Sequence, residues 1–194
     1  GSDLIQISYH ETTELFPAVD NNGMLVYTRW DYVDRDFSAA HNFWICYPDG
    51  RDPRAPHGNY AYPHHTLDGK KWKDGRANRP WAEYGIKPIP GSRRYVAIAG
   101  KHHISTPRGE IILIDLGVED DNKMSQVTRF GDYAMMDESK GYHGDMDKGL
   151  KSSPGYIDPW ALSEDYMLAA QGSDVWLIDK FGNREILFSA TREA

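Results

Sequence analysis

Histidine is the residue type in this sequence whose placement could support chemistry. Of the eight histidines, three lie far apart in segments rich in glycine, proline and charge: His65, His103 and His143. Their imidazoles, together with the carboxylate of Asp145, would make a four-ligand site for Zn²⁺ or a similar divalent cation. The spacing matches no metal-ligand motif, and loop histidines that hydrogen bond to backbone groups are the alternative. Binding of a divalent metal by these four residues is therefore a hypothesis.

A second candidate site is a basic and aromatic patch within 69–81. Its members are Lys71, Trp72, Arg76 and Trp81. Cations beside aromatic rings could bind an anionic sugar or a lipid head group. A solvated loop of the same composition is the alternative. The stretch lacks the GxxxxGK[ST] order, so it is not a phosphate-binding loop.

Several kinds of site are excluded by residues that the sequence lacks. The single cysteine, Cys46, allows neither an internal disulfide nor a CxxC site nor the CxxCH motif that attaches haem covalently. It lies in the apolar segment FWICY, so we expect a buried thiol. There is no GxSxG nucleophile motif. A net charge of −7 opposes nucleic-acid binding by the chain as a whole, and no apolar stretch is long enough to span a membrane.

Short segments rich in valine, isoleucine, tyrosine and tryptophan lie between turn residues and predict β-strands. Three segments align, each with a proline seven residues before the first apolar residue of a strand: Pro17, Pro88 and Pro159. Further predicted strands are Ile5–Tyr9, Asn42–Tyr47, Glu110–Leu116, Met124–Phe130, Asp174–Asp179 and Arg184–Ser189. The order of proline, turn, strand, loop, strand, turn and strand recurs along the chain.

Repeated units of four short antiparallel strands are typical of a β-propeller, with a sandwich of stacked hairpins as the alternative. We predict an all-β fold, a partial β-propeller of about three four-stranded antiparallel blades over 3–194. The predicted blade-like units are 14–55, 84–130 and 156–190, with long loop insertions at 51–80 and 131–155. Three blades leave apolar faces open, so we expect the remaining blades of a longer chain, or a homodimer, to close the propeller.

Five segments carry a family resemblance: MLVYTRWDYVDRD (24–36), KPIPGSRRYVAIAGKHH (87–103), GVEDDNKMSQVTRF (117–130), PWALSEDYMLAA (159–170) and VWLIDKFGNREILF (175–188). They resemble the propeller region of hydrazine synthase alpha-subunit-like proteins and, more loosely, the TolB-like repeat propellers of bacterial envelopes. This resemblance implies a propeller in a periplasmic or extracellular setting. It does not imply hydrazine synthesis, because the covalent haems of that enzyme need the CxxCH motif that is missing here.

Two classes of function follow from these observations. The first is a non-catalytic module for protein or glycan binding or for scaffolding, as part of a larger envelope protein. The second is a metal- or cofactor-dependent enzyme portion related to the hydrazine synthase alpha subunit, with His103 and His143 among its ligands. The missing nucleophile, haem and cofactor motifs favour the first for this chain alone. The opening Gly1-Ser2 is typical of a cleaved product and shows no signal peptide, so the compartment is expected from the resemblance only.

Overall fold

The structure, a computed structural model, describes residues 3–10, 13–30, 41–56, 82–100, 106–118, 126–130 and 155–190. Within these ranges the chain forms eleven β-strands and no helix. The described ranges accordingly contain no helix long and apolar enough to cross a membrane. The prediction of an all-β chain is confirmed.

The strands fall into three groups, which we call units 1, 2 and 3. Unit 1 contains β1 (Thr13–Val19), β2 (Leu25–Trp30) and β3 (His41–Cys46). Unit 2 contains β4 (Ala82–Pro88), β5 (Arg94–Gly100), β6 (Gly109–Asp115) and β7 (Val127–Arg129). Unit 3 contains β8 (Ile157–Ala161), β9 (Tyr166–Gln171), β10 (Asp174–Asp179) and β11 (Arg184–Ser189).

Within each unit, neighbouring strands along the chain pair antiparallel. Units 1 and 2 are joined in one seven-stranded sheet through a single parallel pair, His41 with Ala82. Unit 3 is a separate four-stranded sheet. In unit 1, an isolated antiparallel bridge between Ile45 and Arg54 lies where the other units have a fourth strand. Each unit therefore follows the meander of a propeller blade.

The first strand of each unit contains the same irregularity. The φ angle is positive at Phe16 (54°), Gly85 (62°) and Asp158 (50°), and at each place the pairing register with the next strand shifts. At each shift, two residues of the first strand lie opposite one residue of the second strand, as in a β-bulge. This recurrence relates the three units more firmly than any single residue type does.

The positions of the bulges show that the alignment of Pro17, Pro88 and Pro159 proposed from the sequence needs correction. Pro17 and Pro159 follow the positive-φ residue inside β1 and β8, whereas Ile86 has that place in β4 and Pro88 ends the strand. The alignment was therefore wrong by two residues in unit 2. A bulge leaves one residue outside the ladder, which is where a strand tolerates proline. The prediction from the sequence placed the prolines outside strands, and it missed β1, β4 and β8 for that reason.

Unit 2 is buried on both faces. Along β6, Ile112 and Ile114 pack with unit 1, and the alternate residues Ile111 and Leu113 pack with unit 3. All seven residues of β6 are buried. A strand covered on both faces has a continuous apolar sequence rather than alternating apolar and polar residues, which explains the segment EIILID.

The first strands of neighbouring units contact each other. β1 contacts β4, and β4 contacts β8, whereas the last strands of units 2 and 3 make no comparable contact with another unit in the described part of the chain. Between units 2 and 3, the Lys87 ammonium pairs with Asp158 at the bulge and donates to the Pro159 carbonyl at 3.2 Å. This is a radial arrangement and not a sandwich, so the predicted partial propeller is confirmed.

The last strand of unit 3, β11, is uncovered on both faces. The side chains of Ile186, Leu187 and Phe188 are 45%, 55% and 61% exposed, and every residue of β11 is exposed. The expectation of open apolar surface at the end of a three-unit chain agrees with this exposure.

Two strand predictions need correction. Residues 3–10 form no strand, although Ile5–Tyr9 was predicted as one. Ile5 and Tyr9 are 80% and 82% exposed, and no described strand pairs with the segment to supply ladder hydrogen bonds. Of the predicted strand Met124–Phe130, the structure has Val127–Arg129 as β7, with Gln126 and Phe130 outside the strand, and residues 124–125 lie outside the described residues. The predicted insertions lie mostly outside the described residues, at 57–80 and 131–154.

Truncating a side chain between units 1 and 2 tests the double burial of unit 2. We expect Ile112→Ala to lower the free energy of unfolding by about 2–5 kcal/mol, because it leaves a cavity among packed side chains. Urea unfolding followed by circular dichroism measures the change. The matched truncation Ile186→Ala, in the exposed strand β11, should cost less than about 1 kcal/mol. Equal losses at the two positions would contradict the packing described here.

Candidate functional site

The residues that the sequence suggested as ligands all lie outside the described residues. This holds for the proposed metal ligands His65, His103, His143 and Asp145, and for the binding patch of Lys71, Trp72, Arg76 and Trp81. The structure therefore does not show whether either set comes together, and both sites stay predictions. Among the described ranges alone, no three or more His, Cys, Asp or Glu side chains are grouped to hold a metal ion.

A cavity of about 430 Å³ lies in unit 1. One wall is formed by residues 7–10 of the N-terminal segment, and the other by side chains of β1, β2 and β3, with Pro53 at one side. We call this cavity the unit 1 cleft. Its volume lies in the range of protein sites for small molecules.

Strand register explains which side chains reach the cleft. Glu14 lies opposite Arg29, and Leu25 lies opposite Cys46. Antiparallel partners share a face, and every second residue along β2 does too, so Tyr27 joins Glu14 and Cys46 on one face of the sheet. The alternate face carries Val26, Phe43 and Ile45, which pack with unit 2. The cleft is therefore on the side of unit 1 that faces away from unit 2.

A glycine lets the N-terminal segment approach the sheet. Gly50 has a φ of +81° in the turn after β3, and its N–H donates to the Tyr47 carbonyl at 2.8 Å. A Cβ atom there would collide with the carbonyl oxygen of Ile7. The backbone can take this conformation and this contact because glycine has no side chain. The turn after β3 thus helps to set one wall of the cleft.

A buried phenol and a buried thiol lie next to each other in the cleft. Tyr27 is 7% exposed and Cys46 5%, and each side chain lies close enough to affect the pKa of the other. Burial raises the pKa of Tyr27 well above its usual value, and the neighbouring Cys46 and Glu14 raise it further. Burial also raises the pKa of Cys46. Both groups are therefore neutral near pH 7, and the thiol is not an activated nucleophile.

Glu14 is the carboxylate of the cleft. Its Oε1 atom is buried and accepts no hydrogen bond from the described part of the chain. Arg29, directly across the strand pair, is engaged elsewhere: its Nη1 lies 2.8 Å from His10 Nε2, and its guanidinium lies 4.0 Å from the centre of the Trp44 ring. The cleft thus combines apolar walls, two neutral polar groups and one carboxylate.

A second set of buried polar groups has a structural role. Glu83 is 1% exposed and its Oε2 accepts a hydrogen bond from the Phe43 N–H at 3.0 Å. The Thr28 hydroxyl donates to the Glu83 carbonyl at 2.6 Å. These bonds connect unit 1 with unit 2. Glu83 therefore accepts hydrogen bonds from a backbone N–H and a side-chain hydroxyl at the junction of the two units.

The sequence reading missed most of the cleft. It predicted Cys46 as a buried thiol, which the structure confirms, but it gave Glu14 and Tyr27 no role. The three residues are far apart in the sequence and come together only through the pairing of β1, β2 and β3. Strands at the places of β2 and β3 were predicted from the sequence. β1 was not recognised, so Glu14 could not be placed on the same face.

Comparisons with known proteins give this chain no family. No family model and no curated protein matches it. Among solved structures, it is similar to "putative TolB" from Agrobacterium tumefaciens, at 14% identity and a TM-score of 0.34, with 88% of this chain and 63% of that one covered. The chain thus spans less than two thirds of that protein. The fold assignment rests on the strand arrangement above, and the resemblance to hydrazine synthase alpha-subunit-like proteins stays a prediction.

The reactivity of Cys46 tests the environment of the cleft. We expect iodoacetamide to alkylate folded protein at pH 7.5 at least ~10-fold more slowly than free cysteine, because only the thiolate reacts and burial raises the thiol pKa. The rate should increase with pH beyond pH 9 and reach that of free cysteine in urea. Mass spectrometry follows the reaction, with Cys46→Ser as the background control. A folded rate as fast as that of free cysteine would contradict the buried thiol.

Proposed function

We propose that this chain is a non-catalytic binding module, a portion of a β-propeller that holds a small ligand in the unit 1 cleft. One observation carries the proposal: a cavity of about 430 Å³ has mostly apolar walls and a few polar side chains that converge on it. That combination is typical of ligand sites, where apolar contact supplies affinity and a few polar groups fix orientation.

The electrostatics of the cleft favour binding over catalysis. A nucleophilic cysteine needs a lowered pKa, but the pKa of Cys46 is raised by burial. The pKa of Tyr27 is also raised by burial, which makes it a poorer proton donor. Neutral hydroxyl and thiol groups can still direct hydrogen bonds toward a ligand. These properties support a binding role for the cleft.

Other parts of the function expected from the sequence remain predictions. Binding of a protein or a glycan through the long insertions concerns residues outside the described ranges, as does the alternative of a metal- or cofactor-dependent enzyme. The periplasmic or extracellular setting, within a larger envelope protein, rests on the sequence resemblance.

Closure by further blades or by a second copy is also a prediction. The exposed side chains of Ile186, Leu187 and Phe188 support it, because apolar surface of this kind is usually covered by a partner. Light scattering of the purified chain distinguishes the two forms of closure. The mass of a dimer supports a second copy, whereas a strict monomer rules out the homodimer.

Filling the cleft tests the proposed function. Leu25 lines it, and we expect Leu25→Trp to weaken, by ~10-fold or more, the binding of aromatic fragments found by ligand-observed NMR with the unaltered chain. Leu187→Trp, in the exposed strand β11, is the matched control and should leave binding unchanged. Thermal unfolding shows whether each variant is folded.

Two results would contradict the proposal. The first is a fragment screen without any binder. The second is a set of binders whose affinity does not change in a folded Leu25→Trp variant. A binder in the cleft should also slow the alkylation of Cys46, which gives a measurement that does not depend on the variant.

A further inference from the structure

We propose that the ligand of the unit 1 cleft is a small organic cation, an apolar body ending in an ammonium group that pairs with Glu14. This inference rests on the proposed function, since it names the chemical class of the ligand for the same cleft. It goes beyond that function because a cavity with apolar walls could equally take a neutral or an anionic molecule.

The first support is the state of the Glu14 carboxylate. Its Oε1 atom is removed from solvent and accepts no hydrogen bond from the described residues. A buried polar oxygen without a donor costs free energy, and a ligand that supplies the donor recovers that cost. An ammonium group offers three N–H donors and the opposite charge. A hydroxyl offers one donor and no charge, and a carboxylate offers none.

The second support is the charge balance of the cleft. Tyr27 and Cys46 are both uncharged near pH 7, as their burial requires. Arg29, which could have neutralised Glu14, does not line the cavity and instead contacts His10 and Trp44. The Glu14 carboxylate is thus a negative charge on the cavity wall without an ion pair among the described residues. That arrangement attracts a cation and repels an anion.

The third support is the nature of the remaining walls. Three aromatic residues, Tyr9, His10 and Tyr27, are among those that line the cavity, together with the aliphatic Leu25 and Pro53. Aromatic faces attract organic cations through their quadrupole, and apolar surface favours a hydrocarbon or aryl body. The cavity volume suits an arylalkyl amine, whose ring fits between the walls while its nitrogen reaches the carboxylate.

Isosteric probes test this inference. We choose 2-phenylethylamine, 3-phenylpropylamine and tryptamine, each with the alcohol and the carboxylate that replace its ammonium group. Isothermal titration at low ionic strength gives the affinities. We expect each amine to bind ~10-fold or more tightly than its alcohol, with the carboxylate weakest. In Glu14→Gln, which keeps the shape but removes the charge, the preference should fall to about 2-fold or less. Glu185→Gln, on exposed β11, is the control and should retain it.

The outcomes separate this inference from the proposed function. If alcohols or carboxylates bind in the cleft as tightly as the amines, the inference that the ligand is a cation is wrong, and the proposed binding role is unaffected. An amine preference that persists in Glu14→Gln also overturns the inference, because another group would then be responsible. If no member of the three series binds and none slows Cys46 alkylation, the inference fails, and the fragment screen decides the binding role separately. Amine preference lost only in Glu14→Gln supports the inference.

Discussion

The burial of unit 2 on both faces is the constraint on which the rest of the structure depends. β5 and β6 supply apolar side chains to two clusters at once, one shared with unit 1 and one with unit 3. A sheet of this composition is stable only when both faces are covered. Units 1 and 3 therefore pack on either side of unit 2, and the radial order of the chain follows.

This arrangement leaves each outer unit with one face that unit 2 does not cover. On unit 3 that face is only partly buried in β9 and β10, and β11 is exposed. On unit 1 it carries Leu25, Tyr27 and Cys46, and residues 7–10 lie over it without forming a strand. The irregular N-terminal segment does not fill the space as a paired strand would, and the cleft is the result. The cleft is thus a consequence of how the first unit is covered.

Most of the strands could be predicted from the sequence, and the cleft could not. Apolar segments such as EIILID and DVWLID are recognisable because turn residues surround them, and β10 and β11 coincide with their predictions. β1, β4 and β8 were missed because bulges and prolines break their alternation. Without β1 the position of Glu14 was unknown. The predicted ligands His65, His103, His143 and Asp145 lie outside the described residues, so that part of the prediction is unchanged.

Hydrogen exchange measured strand by strand tests most directly whether unit 2 is the centre of the fold. Amides of β5 and β6 should exchange slowest, through global unfolding, because both faces of their sheet are buried. Amides of β11, whose residues are all exposed, should exchange through local opening and considerably faster. Equal protection of β11 and β6, at protein concentrations where the chain is monomeric, would contradict the arrangement of one central unit between two outer ones.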